Sequence, residues 1–86
     1  MRVISGNLRG KRLFSPKGQE LRPTSDRVKE AIFDILQDQF QGQNVLDLFA
    51  GTGALGIECL SRGASKAVFV EESPRSLSAL RRNIEE

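Results

Sequence analysis

The 86-residue chain contains no histidine, no tyrosine and no tryptophan, and only one cysteine, Cys59. Without histidine, imidazole acid–base, nucleophilic and metal-ligand chemistry is excluded within the chain. A lone cysteine cannot close an internal disulfide, which favours the reducing cytoplasm, and it leaves a structural zinc site short of ligands. No apolar run approaches the ~20 residues of a membrane span. Met1-Arg2-Val3-Ile4-Ser5-Gly6 lacks the apolar centre of a secretory signal. There is also no Pro-Pro pair. A chain of this length makes one small domain at most, burying about 60–65% of the surface its unfolded form exposes.

What is present is unevenly charged. The net charge is +2, but residues 1–30 carry eight Lys/Arg against three acids, whereas residues 31–86 carry five against eight. A basic amino-terminal arm ahead of a more acidic body points to contact with a polyanion. A solvated charged segment is the alternative.

Val3, Ile4, Leu8, Leu13 and Phe14 supply apolar positions over residues 2–14, and Gly6-Asn7 is a two-residue turn signal, so this stretch reads as a short basic hairpin. Ser15-Pro16-Lys17-Gly18 reads as a second turn. Arg22-Pro23 is expected to be extended, after which Thr24 or Ser25 caps a helix with Asp26 in its first turn. Val28, Ala31, Ile32, Ile35 and Leu36 recur at helical spacing and define the face expected to be buried. Phe33 and Phe40 extend that surface, and Gly42 ends the element. Residues 45–49 read as a buried strand. Residues 54–62 read as a helix stopped by Gly63. Residues 67–70 read as a second buried strand ending at Glu71. A third helix begins with Ser73 as cap and Pro74 at its first position, and is expected to bury Leu77, Leu80 and Ile84. The order βαβα with apolar strands predicts a parallel sheet with right-handed crossovers.

Gly51-Thr52-Gly53-Ala54-Leu55-Gly56 matches G-x-G-x-x-G, with a strand before, a helix after, and Glu71 twenty residues beyond Gly51. This is how a nucleotide-like cofactor is cradled at the end of a strand. The first glycine permits the tight turn, and the second lets a ligand lie against the backbone. The Glu71 carboxylate can accept two hydrogen bonds from ribose hydroxyls. A tight strand–helix turn with no ligand is the alternative. Dinucleotides and S-adenosylmethionine both use this architecture, and Asp47 helps to separate them. A carboxylate beside the loop opposes a pyrophosphate but suits an ammonium group and a sulfonium centre. The other reading of Asp47 is a buried acid satisfied by backbone amides.

Asp47-Leu48-Phe49-Ala50-Gly51-Thr52-Gly53 resembles the first motif of class I methyltransferases, and Glu71 falls at their ribose-binding position. Upstream, Arg2-Val3-Ile4-Ser5-Gly6, Leu8-Arg9-Gly10-Lys11-Arg12-Leu13 and Arg22-Pro23-Thr24-Ser25-Asp26-Arg27-Val28-Lys29-Glu30-Ala31-Ile32-Phe33-Asp34-Ile35-Leu36 are similar to the start of the bacterial 16S ribosomal RNA guanine-N2 methyltransferases of the RsmD type. The resemblance covers essentially the whole chain. It implies a partial Rossmann-like class I methyltransferase fold of the α/β class, the βαβα portion of a parallel sheet preceded by a basic β-hairpin and a helix. Residues 1–21 would be an RNA-facing arm, and residues 22–86 the amino-terminal portion of the S-adenosylmethionine-binding domain.

The same resemblance implies methyl transfer from S-adenosylmethionine to the exocyclic N2 amine of a guanine, in 16S ribosomal RNA or the assembling small subunit. Such an in-line displacement needs alignment more than acid–base help, and the base must leave its stack. Asp47, Phe49, Ala50, Gly51, Thr52, Gly53 and Glu71 are implied cofactor contacts. Arg22, Thr24 and Arg27 resemble an upstream motif that closes over the methionine end; a helix cap with solvated charges is the alternative for them. Arg9, Lys11 and Arg12 are implied RNA contacts.

In these enzymes an Asn/Asp-Pro-Pro-Tyr/Phe segment holds the amine and stacks on the base. With no Pro-Pro and no Tyr here, the expectation is a cofactor half without catalytic residues, inactive alone. Its unpaired strand edges are expected to lead to self-association, a domain swap or partial disorder near the carboxyl end. Cys59 is expected to pack as a small apolar residue under the sheet, with no partner to activate it. Two rival readings are a dinucleotide-dependent oxidoreductase fragment, which would bind NAD more tightly, and a non-catalytic RNA-binding module built on the basic hairpin.

Overall fold

A short parallel ladder and a few buried polar groups hold the chain together. The computed structural model describes residues 2–14, 23–36, 39–48 and 50–85, with residues 23–26 described in backbone only. In chain order the elements are α1 (Pro23–Leu36), β1 (Asn44–Leu48), α2 (Ala54–Ser61), β2 (Lys66–Val70) and α3 (Pro74–Glu85). No described helix is long and apolar enough to cross a membrane.

β1 and β2 pair in parallel, in a register running from Asn44 opposite Lys66 to Leu48 opposite Val70. Parallel neighbours require a crossover, and α2 supplies it. The strands are not buried on both faces as their apolar runs imply. Val45, Asp47, Ala67 and Phe69 turn toward α2, where the missing side chain of Gly56 lets the Phe69 ring lie against the helix backbone. Leu46, Leu48, Val68 and Val70 lie on the open face, Leu46 with 60% of its surface exposed. Strand side chains alternate, so helices packed on one face leave the other uncovered.

α1 begins at Pro23, so Thr24 and Ser25 stand inside its first turn rather than ahead of it. Proline's fixed φ suits that first position. The buried face also differs from the expected one. Lys29 and Phe33 are buried and Leu36 half-buried, while Val28, Ala31, Ile32 and Ile35 are exposed, Ile35 by 77%. The Phe33 ring packs on Phe40 with centroids 5.0 Å apart, and both join Cys59 in one apolar cluster. The helix therefore turns its aromatic edge inward, and Lys29 follows because a carboxylate awaits it there. Residues 39–42 form a turn, not a helical extension. Gly42 in that turn has φ +73° and donates its N–H to the Gly63 carbonyl at 2.9 Å.

α2 ends as expected. Arg62 is its C-cap, Gly63 adopts φ +110°, and the Ala64 N–H closes back on the Cys59 carbonyl at 3.0 Å. In α3 the Ser73 carbonyl accepts the Leu77 N–H at 2.8 Å, and its hydroxyl accepts the Ser76 N–H at 3.5 Å. Leu80 is buried, but Ile84 is exposed; Asn83, one residue earlier, takes the inward position.

Residues 2–14 form a closed loop with one antiparallel bridge, Arg2 to Arg12, rather than a regular hairpin. The turn runs from Gly6 to Gly10 and is not the two-residue Gly6-Asn7 turn. Its cause lies in α2. The Ser61 carbonyl takes the Asn7 N–H and the Ser61 hydroxyl takes the Leu8 N–H, each at 2.8 Å, so neither amide serves a tight turn. Val3 and Leu13 bury against Ile57, with Ala54 and Phe69 beside them.

Glu58, on α2 between the two apolar clusters, is fully buried. It accepts the N–H groups of Ile4 and Ser5 at 2.9 and 3.1 Å and pairs with Lys29 at 3.2 Å and Arg62 at 2.8 Å. Lys29 also donates to the Arg2 carbonyl at 3.1 Å. Burial works to raise the Glu58 carboxyl, but the Ile4 amide, Arg62 and Lys29 together hold it below its ordinary value. Cys59 beside it is buried, and its thiol is pushed up to about 11 by burial and by the charges of Asp47 and Glu58. It therefore stays protonated and packs as an apolar side chain.

Candidate cofactor site

The site lies where the strands end. After β1 the chain turns through Ala50 to Gly53 into α2, with φ +58° at Gly51 and +87° at Gly53. A side chain at Gly53 would collide with Leu80 of α3, so this glycine is required both by its backbone angle and by the close packing. The Ala50 N–H donates to the Val70 carbonyl at 2.8 Å, anchoring the loop to the end of β2.

Two carboxylates flank this loop. Glu71 accepts the Gly51 N–H on one oxygen at 2.7 Å and the Ser73 N–H on the other at 2.8 Å. These amides hold its carboxyl below the ordinary value, Ser73 contributing most. Asp47, buried under the loop, accepts the Gly56 N–H at 3.0 Å. It thereby caps the first turn of α2 from a distance, since Gly53 as N-cap has no side chain to do so. Burial raises the Asp47 carboxyl, the Gly56 bond opposes this, and the charge of Glu71 adds to the rise. The contact made by Asp47 is thus the backbone-amide bond of the second reading given above.

Beside Glu71 an open concavity of about 780 Å³ is lined by Leu48, Val70, Glu71, Glu72, Ser73 and Pro74. That falls within the roughly 300–1,000 Å³ of small-molecule pockets. It presents an apolar floor at the strand ends and a carboxylate wall.

Of the residues singled out from sequence, Ala50, Gly51, Thr52 and Gly53 form the loop, Asp47 lies buried beneath it, and Glu71 bonds to it and also lines the concavity. Phe49, Arg22 and the Thr24 side chain lie outside the described residues. Arg27 is exposed on α1 and makes no hydrogen bond to the loop among the described residues. Arg9 and Arg12 are exposed on the arm, and Lys11 is half-buried. Sequence reasoning missed Asn83, which donates to the Thr52 carbonyl at 2.9 Å. Its one signal is a lone amide three residues after Leu80, on the buried stripe of α3.

Parallel strands joined through a glycine turn and a helix, with an acid at the end of the second strand, define a Rossmann-like α/β cofactor fold. The chain belongs to the family described as Conserved hypothetical protein 95, whose profile matches residues 1–86. YlbH of Bacillus subtilis (strain 168) is 45% identical over 84 residues, 98% of this chain and 46% of that protein. Ribosomal RNA small subunit methyltransferase D of Escherichia coli K12 is 46% identical over 71 residues, 83% of this chain and 36% of that protein. Among solved structures, yhhF of Escherichia coli superposes with a TM-score of 0.86 at 42% identity, covering 99% of this chain and 46% of that one. The fold is thus a partial Rossmann-like class I methyltransferase fold. The chain spans less than half the length of these relatives.

Proposed function

We propose that this chain forms the cofactor half of an S-adenosylmethionine-dependent methyltransferase acting in the cytoplasm on 16S ribosomal RNA, with the exocyclic N2 amine of a guanine as acceptor. The name of the Escherichia coli relative supports the class and the substrate. One observation carries the choice of cofactor: the Gly51 and Gly56 amides already donate to Glu71 and Asp47. A dinucleotide pyrophosphate would need the helix-start amide that Asp47 occupies and would meet its carboxylate there, whereas a strand-end acid such as Glu71 serves a ribose in either cofactor class. Ribose hydroxyls and a cationic amino-acid end fit the same donor set.

When bound, the cofactor supplies a methyl group made electrophilic by its sulfonium centre. The residues here bind and orient. The Glu71 carboxylate holds the Gly51 and Ser73 amides, one on each oxygen, and has acceptor capacity left for a ribose hydroxyl. Asp47 fixes the start of α2 and sets a negative charge beside the methionine end. Gly51, Thr52 and Gly53 give the ligand a bare backbone to lie against, with Phe49 and Ala50 as neighbours. Arg22, Thr24 and Arg27 close that end, while Arg9, Lys11 and Arg12 meet RNA phosphates.

An amide-resolved NMR titration with S-adenosylmethionine, run in parallel with NAD, tests this reading. Shifts at Gly51, Gly53 and Glu71 with the methyl donor alone are expected. Glu71→Ala should weaken binding about tenfold, as loss of hydrogen bonds to a charged group does. Shifts with NAD alone, or with neither ligand, would overturn the assignment.

A further inference from the structure

One buried amide on α3 joins the two parts of the molecule to which the proposed function gives separate tasks. Asn83 is 1% exposed. Its side-chain oxygen accepts the Phe14 N–H at 2.6 Å, and its side-chain nitrogen donates to the Phe14 carbonyl at 3.1 Å and to the Thr52 carbonyl at 2.9 Å. The opposite amide orientation would set donor against donor at the Phe14 N–H, so the network fixes it. Phe14 is the last described residue of the basic arm, and Thr52 is the middle residue of the glycine loop. The adjacent Arg82 guanidinium lies over the Phe14 ring, 3.6 Å from its centroid, and Leu80, one turn earlier, packs at Gly53. Three residues within one turn of this helix, Leu80, Arg82 and Asn83, therefore grip the arm and the loop.

We propose that Asn83 is a positioning residue that couples occupancy of the glycine loop to the setting of the basic arm, so that a nucleoside-bearing cofactor and a polyanionic RNA bind with positive cooperativity. This rests on the reading above, in which the loop takes the cofactor and the arm takes RNA. A ligand against the loop backbone restricts Thr52. Through the shared amide, restriction of Thr52 restricts Phe14. An RNA that further restricts the arm then finds part of that restriction already made. Coupling of this kind needs no displacement of either part, and by linkage it acts equally in both directions.

The test uses the whole chain, S-adenosylhomocysteine and a short guanine-containing RNA hairpin at low salt. In the unsubstituted chain, S-adenosylhomocysteine should shift Gly51 and Thr52 and, along the same isotherm, Phe14 and the Asn83 side-chain amide. The RNA should bind about fivefold or more tightly with S-adenosylhomocysteine present, the lower end of typical couplings. Asn83→Asp keeps the acceptor for the Phe14 N–H but removes both donors, and should bring that affinity ratio to one. Loop shifts without a Phe14 response, and a ratio of one in the unsubstituted chain, would overturn the coupling while leaving the cofactor assignment in place. Absence of loop shifts would overturn both. A ratio preserved in Asn83→Asp would remove Asn83 from the coupling.

Discussion

Glu58 is a charge placed where water does not reach, and its two oxygens serve three different parts of the chain. The arm supplies the Ile4 and Ser5 amides, α1 supplies Lys29, and α2 itself supplies Arg62. Removing one member of such a set strands the others. Glu58→Gln keeps the shape but leaves Lys29, only 3% exposed, as a buried cation without its counter-charge. The expected loss is about 3–5 kcal/mol, read as a lower urea midpoint. The pH dependence carries its own sign. The folded Glu58 carboxyl lies below its ordinary 4.5, so its contribution is fully present above that value and is lost as pH falls through the lower folded value. Asp47 runs the other way. Raised above 3.8, it favours folding below that value and loses this contribution as pH rises through its folded value. The stability of the unsubstituted chain should therefore fall below about pH 4.5, and Glu58→Gln should flatten that limb. An unchanged acid limb in the variant would show that Glu58 is not its source. Gly51, Gly53 and Glu71 were readable from sequence because a turn and a strand-end acid declare themselves locally. Glu58 and Asn83 were not, because they meet partners 54 and 69 residues away, and no spacing rule reaches across that separation.

At the scale of elements, βαβα order, parallel pairing and the stop of α2 at Gly63 follow from pattern alone. Which face of α1 turns inward does not. The helix carries two apolar stripes, and helical periodicity selects the longer one, Val28, Ala31, Ile32, Ile35 and Leu36, of which only Leu36 is even half-buried. The structure buries the other because the Phe33 ring finds Phe40 and Cys59, with the Arg62 guanidinium 4.6 Å from its centroid. Lys29, which lies off the apolar stripe, is drawn in by Glu58. The arm diverges from a two-residue hairpin for a similar reason, since Ser61 competes for the turn amides. The two stripes of α1 predict opposite mutational behaviour. Phe33→Ala should cost about 3–5 kcal/mol through lost burial and the cavity left behind. Ile35→Ala, at a residue 77% exposed, should stay within about 0.5 kcal/mol. Equilibrium urea unfolding of the two variants measures the contrast. Equal effects, or a larger loss at Ile35, would contradict the assigned face.

At the scale of the whole molecule, the sequence announces apolar strands but cannot say how many of their faces the chain covers. That depends on how many layers are packed, and the described helices bury side chains against one face of the sheet. Leu46, Leu48, Val68 and Val70 remain exposed on the other, and among the described residues each strand has one edge without a ladder partner. A second copy of this chain offers the same apolar surface. Four half-covered side chains on each copy would contribute about 1 kcal/mol apiece on burial, or about 8 kcal/mol for the pair. Association itself costs about 4–15 kcal/mol, so the two nearly balance and the contact should be weak. Sedimentation velocity should therefore give monomer at low concentration and a rising average mass toward the high-micromolar range. Leu46→Lys combined with Val68→Lys places a cation on each strand at solvent-facing positions and should abolish that rise without lowering the unfolding free energy by more than about 1 kcal/mol. A monomer at every concentration in the unsubstituted chain would mean that this face draws no second copy. Association that persists in the double variant would move the contact elsewhere, with the exposed Val28, Ile32 and Ile35 stripe of α1 as the next surface to charge.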